Sequence, residues 1–323
     1  APDEKALLQD ASVIGKVFWP GALDGADDRV LHALERKEFT RRDRRSSIAG
    51  ETQYAFLHAL VRDVAYGQMP RSERVEKHRR AAEWLSSLAA DRSEDHAEML
   101  AHHYHEALSL GRAAGLDTTA LHAPARDAFA DGARRAFSLG AGRAAHDLAL
   151  EALSLTSDED QARPSLLLLA ADASRISDRD DVVPLGEAAV EGFIAQGDPG
   201  RAAEAVASLG SDHFHRGDIA ATRAARDRAL ELARQAPTSP SSARAMAGVG
   251  RSRYLLDRDE QGALELSREA LAIARESGDA RAEAICLNTI GLAGVRSGDA
   301  EGLADIERSV ELAAQSGSLF HLV

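Results

Sequence analysis

The spacing of apolar and polar positions changes several times along the chain, and each change marks an element. Leu7, Leu8, Ala11 and Ile14 recur at helical spacing, with Asp3 placed to cap the helix they predict. Phe18-Trp19-Pro20-Gly21 breaks that pattern. A second helix is predicted from about Asp27 to Glu38, with Val30, Leu31 and Leu34 inward. Residues 39–48 are too polar for a core helix and read as a strand leading to a turn at Ala49-Gly50, with Thr52 to Leu57 returning. In the stretch from Tyr54 to Pro70, the pairs Phe56/Leu57, Leu60/Val61 and Val64/Ala65 recur every four residues and predict one apolar helical face. This face is expected to clasp the β-ribbon to the helices. His58, Arg62 and Tyr66 form a polar stripe beside it. Gly67 and Pro70 end the helix. A charged helix from Arg71, with Val75, Ala82, Leu85 and Leu88 inward, and another from about Asp95 to Leu110 complete the first third. Helix, helix, β-ribbon and further helix is the order of a winged-helix module.

The remainder is helical throughout and periodic. Gly-Asp pairs stand at 197–198, 217–218, 278–279 and 298–299, and the first and third, like the second and fourth, are 81 residues apart. That spacing makes two repeats of about 40 residues. Glycine ends one helix and aspartate caps the next. Small residues recur at Ala145/Ala149/Ala152 and Ala263/Ser267/Ala270, and more loosely at Val182/Gly186/Ala189 and Thr222/Arg226/Ala229. These are the close-contact positions of a tetratricopeptide hairpin. Helix pairs are predicted at about 125–155, 164–196, 200–235, 241–277 and 280–316. Residues 235–242 read as a loop between repeats. The fold class expected is mainly α: a winged-helix-like module over 1–90, then a tetratricopeptide-like solenoid over 91–323. Residues 91–120 would serve as linking hairpin and connector, with Gly115 to Ala123 as the boundary. Stacked pairs bury a continuous core and leave a concave surface suited to a protein or peptide partner. No single residue of that surface stands out in the sequence.

Composition narrows the classes. The chain has 323 residues and a net charge of −13, unevenly spread: 16 basic and 19 acidic residues over 1–111, against 23 and 33 over 112–323. An acidic second part argues against a nucleic-acid partner, which needs displaced counterions. The lone Cys286 permits no internal disulfide. No apolar run approaches the ~20 residues of a membrane span, and there is no signal peptide. A cytoplasmic location with no membrane partner is therefore expected. The first residue, Ala1, and the closing LFHLV, which reads as the start of another helix, suggest cuts through a longer polypeptide.

Five segments carry a resemblance: LLQDASVIGKVFW (Leu7–Trp19), LERKEFTRRDRRSS (Leu34–Ser47), YAFLHALVRDVAYGQMPR (Tyr54–Arg71), EKHRRAAEWL (Glu76–Leu85) and AEMLAHHYHEAL (Ala97–Leu108). Together they resemble the large bacterial signalling proteins in which a STAND/AAA-type ATPase precedes a tetratricopeptide-like array. Many members of that family begin with an adenylate/guanylate cyclase domain, and others end in a LuxR-type DNA-binding domain. The resemblance implies an upstream ATPase domain as the chain's own partner, with ATP/ADP and magnesium held there. It also implies that 1–90 is the winged-helix appendage of that ATPase. In apoptosome-type relatives a winged-helix histidine touches the nucleotide phosphates. His58, with Arg62 one turn away, is the position that would do so here; the reading weighed ahead of it is that His58 caps the helix or packs against the ribbon. A plain scaffold, or a DNA-binding regulator acting through 1–90, is the alternative.

The residues themselves offer no cofactor site and no catalytic or metal-binding set. None of the four lysines is followed by Ser or Thr, so a Walker A motif is absent from this sequence. A cyclase-like metal-aspartate arrangement and GxSxG are absent too, and no enzymatic activity is expected of these residues. His96, His102, His103 and His105 include the i,i+4 pairs Glu98–His102 and His102–Glu106, yet 102, 103 and 105 point in different directions on a helix. His213-x-His215 diverges likewise. Arg41, Arg42, Arg44 and Arg45 could touch DNA as a wing, but read first as a solvated strand face. Arg216-Gly217-Asp218 falls where the repeat already demands Gly-Asp. Cys286 reads as a small buried residue.

Overall fold

The computed structural model describes residues 1–88 and 93–315, and gives the side-chain environments of 1–88 and 96–315. The expected helix start at 319–323 lies outside the described residues. The chain divides into two compact units, residues 1–135 and 136–323.

In the first unit, α1 (Pro2–Ile14) and α2 (Asp28–Arg36) flank a short extended segment, β1 (Val17–Phe18). Asp27 caps α2 by accepting from the Arg29 amide at 2.8 Å. Asp3 does not cap α1. The helix starts two residues earlier than an Asp3 cap would place it, because Pro2 suits a first helical position, and Asp3 lies in the first turn. The ribbon is shorter than its sequence suggests: β2 (Thr40–Arg42) and β3 (Tyr54–Phe56) pair antiparallel with Thr40 opposite Phe56. Between them Asp43 and Gln53 close the loop, backbone to backbone at 2.9 Å and side chain to side chain at 2.9 Å. β1 adds to the other edge of β3, giving a three-stranded sheet in the order β1-β3-β2. Two residues are too few to show strand alternation, so β1 left no periodic trace. Phe18 lies at the centre of this unit's core, stacked on Tyr54 at 5.7 Å and tilted against Phe56 at 5.5 Å. Leu7, Ala11, Leu31 and Leu34 surround it.

Then follow α3 (Ala59–Gly67), α4 (Arg71–Ser87) and α5 (Ser93–Ala113), the last two packed together. Trp19 and Trp84 stack at 5.9 Å beside Leu85. α6 (Thr119–Ser138) begins inside the stretch expected to be the connector. Asp117 accepts from both the amide and the hydroxyl of Thr119, at 2.9 and 2.6 Å, and starts the helix. Pro124 removes one hydrogen bond from its second turn without ending it, because Leu121, Ala125, Ala128 and Phe129 are all buried.

The second unit holds α7 (Gly142–Ser154), α8 (Arg163–Ile176), α9 (Val182–Ala195), α10 (Pro199–His215), α11 (Ile219–Ala233), α12 (Pro240–Ser252), α13 (Glu260–Ser277), α14 (Ala280–Ser297) and α15 (Glu301–Gln315). The hairpins α8–α9, α10–α11, α12–α13 and α14–α15 fall on the predicted pairs. The Gly-Asp punctuation works as its chemistry requires. Gly278 takes φ +70°, which ends α13, and Asp279 accepts from the Ala282 amide at 3.0 Å, which starts α14. Asp198 and Asp218 cap α10 and α11 in the same way. Where glycine is missing, Arg258 is forced to φ 53° before the Asp259 cap of α13. The small-residue positions are interior: Ala145, Ala149, Ala152, Ala263, Ser267 and Ala270 are all fully buried. α14 approaches α15 closely: a Cβ on Gly302 would sit 2.6 Å from the Val295 nitrogen and 2.7 Å from the Gly291 oxygen. First helices also pack on one another, α10 on α12 and α12 on α14, and form a layer of their own.

Candidate functional site

His58 is the N-cap residue of α3, exposed, and its side chain makes no capping hydrogen bond. Arg62 lies one turn on and pairs with neighbouring Asp63, Nη2 to Oδ1 at 2.7 Å. An exposed pair of this kind is weak and can be exchanged for another anion. Tyr66, the third member of the polar stripe, is not on that surface. Its hydroxyl lies 3.0 Å from His78 Nε2, and the Arg74 guanidinium covers its ring at 4.5 Å. The apolar face divides too. Phe56 and Ala65 are buried and Val61 is half-buried, whereas Leu57, Leu60 and Val64 are 40%, 72% and 49% exposed. The clasp is therefore made by Phe56, Val61 and Ala65 alone.

One histidine of α5, His103, serves α4. His78 Nδ1 and His103 Nδ1 lie 3.0 Å apart, both rings buried, and with Tyr66 they make a three-member chain. Burial, reinforced by the neighbouring histidines, pushes His78 down to about 3, and burial pushes His103 down to about 3. Both are neutral at pH 7, so one imidazole donates to the other. Either direction leaves His103 Nε2 without a partner. His102 is exposed, and among the described residues no group of three or more His, Cys, Asp or Glu could hold a metal ion. Arg41, Arg42, Arg44 and Arg45 are exposed around β2, as a solvated face would be.

In the second unit, Asp181 receives a hydrogen bond from Ser174 and lies 2.9 Å from His146 Nε2. A nucleophilic triad needs the imidazole between hydroxyl and carboxylate, to take the proton from one and be steadied by the other. Here the carboxylate is in the middle, so the trio fastens α7, α8 and the start of α9. Cys286 is buried, and desolvation pushes its thiol up to about 12, which keeps it protonated and inert. Arg216 pairs with Asp212 at 2.8 Å and Asp218 caps α11, so Arg216-Gly217-Asp218 is absorbed by the repeat.

This unit has a cavity of about 510 Å³ on the layer of first helices. It is walled by α8, α10, α12 and α14, with Arg226 reaching in from α11. A five-residue π-helical turn, Arg253–Asp257, extends α12 and brings Leu255 to its rim. Five arginines line it: Arg175, Arg226, Arg244, Arg251 and Arg281. Three are matched by carboxylates. Arg226 reaches Asp257 at 2.7 Å, Arg244 joins Glu204 at 3.0 Å and Asp279 at 2.6 Å, and Arg175 approaches Asp172 at 3.6 Å. Phe214 and Leu255 keep large apolar surfaces exposed at the same opening. Sequence reasoning singled out none of these as binding residues, although Arg226 and Asp279 stand at repeat positions it named. The arginines occupy non-equivalent positions in successive repeats, so periodicity could not select them from the many others.

Residues 201–276 match the tetratricopeptide repeat family model, a span that takes in most of α10 to α13. No curated protein matches the sequence. Among solved structures, BtubC (BKLC) from P. vanneervenii aligns at 17% identity and a TM-score of 0.43, over 77% of this chain and 93% of that one. The MamA protein aligns at 19% identity and a TM-score of 0.30, over 60% of this chain and 94% of that one. A signal transduction ATPase with numerous domains, carrying a tetratricopeptide repeat sensor, from Pyrococcus horikoshii aligns at 13% identity and a TM-score of 0.42, over 99% of this chain and 61% of that one. Among the described residues, no helix is long and apolar enough to cross a membrane.

Proposed function

We propose that this chain is a non-catalytic, regulatory part of a nucleotide-dependent signalling ATPase, in which the tetratricopeptide array holds a protein partner on its layer of first helices. The observation that carries the binding role is the cavity walled by α8, α10, α12 and α14, where guanidinium groups and exposed Phe214 and Leu255 meet at one opening. A helix-pair array buries its own core between layers and leaves such a face for a ligand. Residues 1–90, read as a winged-helix-like module, are the receiving surface of the ATPase domain. In support, His58 leaves the first amides of α3 without a side-chain cap, and Arg62 pairs with an exposed aspartate. A phosphate at that helix end would find both. Nucleotide and magnesium chemistry belongs to the ATPase domain.

The test uses the gene product that contains the ATPase domain. ADP retention is measured in the parent and in His58→Ala, with and without bound partner. Faster ADP release in the variant and on partner binding is expected. Unchanged retention in both cases leaves the array as a plain scaffold, which the same face also suits.

A further inference from the structure

The loop that joins β2 to β3 has no part in the sites described above. It opens on the basic run Arg41, Arg42, Arg44 and Arg45 and continues as Ser46-Ser47-Ile48. Arg41 approaches Asp43 at 3.4 Å, whereas Arg42, Arg44 and Arg45 are exposed and make no ion pair among the described residues. The two serines differ. Ser46 Oγ accepts from Trp19 Nε1 at 3.2 Å and donates to the Ile48 carbonyl at 2.8 Å, which fixes it to the core. Ser47 is exposed, and its amide and hydroxyl both donate to Gln53 Oε1, at 3.0 and 3.1 Å. Gln53 is held in turn by donating to Asp43 Oδ2 at 2.9 Å. Ile48 is buried against Trp19 and Leu85.

A kinase reads a serine through its flanks as well as its hydroxyl, because phosphoryl transfer rests on positioning and charge. Guanidinium groups two and three residues before the serine fit a cleft lined by carboxylates. Arg44 and Arg45 stand at those places before Ser47, and the apolar Ile48 follows it. Presenting the two arginines breaks no ion pair. We propose that Ser47 is a phosphorylation site for protein kinases that recognise arginine-flanked hydroxyls. Ser47 Oγ attacks the γ-phosphorus of ATP. The new O–P bond forms as the bond from that phosphorus to the β,γ-bridging oxygen breaks, ADP leaves, and the hydroxyl proton passes to a carboxylate of the kinase. Ile48 must leave its seat for the segment to extend along a kinase cleft, so the transfer follows opening of the loop. Once phosphorylated, Ser47 Oγ no longer donates to Gln53. Four arginines against Asp43 give residues 41–47 a net charge of +3, which a phosphate of about −2 lowers to about +1.

The experiment incubates the 323-residue chain with magnesium ATP and the catalytic subunit of cyclic-AMP-dependent protein kinase, which selects arginine-flanked serines. Intact mass counts the phosphates, and tandem mass spectrometry places them. One phosphate on Ser47 is expected. Ser47→Ala is expected to remove it, and Ser46→Ala to keep it. Arg44→Gln and Arg45→Gln, both at exposed positions and shown folded by circular dichroism, are each expected to lower the initial rate at least about tenfold. A peptide of residues 41–52 is expected to react at least about tenfold faster than the folded chain, because it has no Ile48 seat to leave. No phosphate, a phosphate placed only elsewhere, or a rate that both arginine variants leave unchanged overturns the inference. Modification of the peptide but never of the folded chain overturns it too, because the loop then does not open.

Discussion

Arg244 on α12 reaches Glu204 on α10 at 3.0 Å and Asp279 at the start of α14 at 2.6 Å. One side chain thus ties three successive first helices. Asp279 also caps α14, so the same carboxylate serves two devices. Arg244→Ala leaves both acids partly buried without a cation. A loss of about 1–3 kcal/mol in unfolding free energy is expected by urea titration. A change within experimental error would mean the tie contributes nothing.

The His78–His103 pair predicts a pH dependence of stability. Both groups titrate near 3 in the fold, against 6.5 for a free imidazole. Between those limits the unfolded chain binds more protons, so stability is full above about pH 6.5 and falls as pH drops toward 3. Each histidine contributes a slope of up to about 1.4 kcal/mol per pH unit. His102 and Arg74 face the pair and oppose its protonation further. His103→Leu should flatten the slope measured between pH 6.5 and 5 by thermal unfolding. An identical slope in parent and variant would contradict this account.

Gly302 lets α15 approach the backbone of α14. Gly302→Ala places a methyl group 2.6 Å from the Val295 nitrogen, where no side chain can yield. Destabilisation of about 1–3 kcal/mol is expected, despite alanine's better helix propensity. Gly278→Ala, which strains a positive φ in open space, should cost about 1 kcal/mol.

Across β3 and α3, burial gives opposite expectations for residues of one apolar stripe. Phe56→Ala should cost about 3–5 kcal/mol, because the ring packs against Phe18 in the core. Leu60→Asp should change stability by less than about 0.5 kcal/mol, because Leu60 is exposed. Equal losses at the two positions would contradict the assignment of faces.

These cases show what the sequence could express. Helix stops and starts carry their own chemistry, so Gly278-Asp279 and its equivalents were legible before any tertiary contact was known. Period alone says that Leu57, Leu60 and Val64 share a face with Phe56, but not which part of that face finds a neighbour. His78 was invisible because its role depends on His103, 25 residues away, and on Tyr66. The candidate site was the least legible part. Arg175 and Arg281 come from helices of non-adjacent pairs, and nothing local distinguishes them from the solvated arginines around them.

Hydrogen–deuterium exchange of the whole chain, with and without a saturating protein partner, tests the central claim most directly. Slowed exchange is predicted in α8, α10, α12 and α14 and in the turn at 253–257, with α9, α11, α13 and residues 1–135 unchanged. Protection confined to the second helices or to the first unit, with the first helices unaffected, would contradict the account.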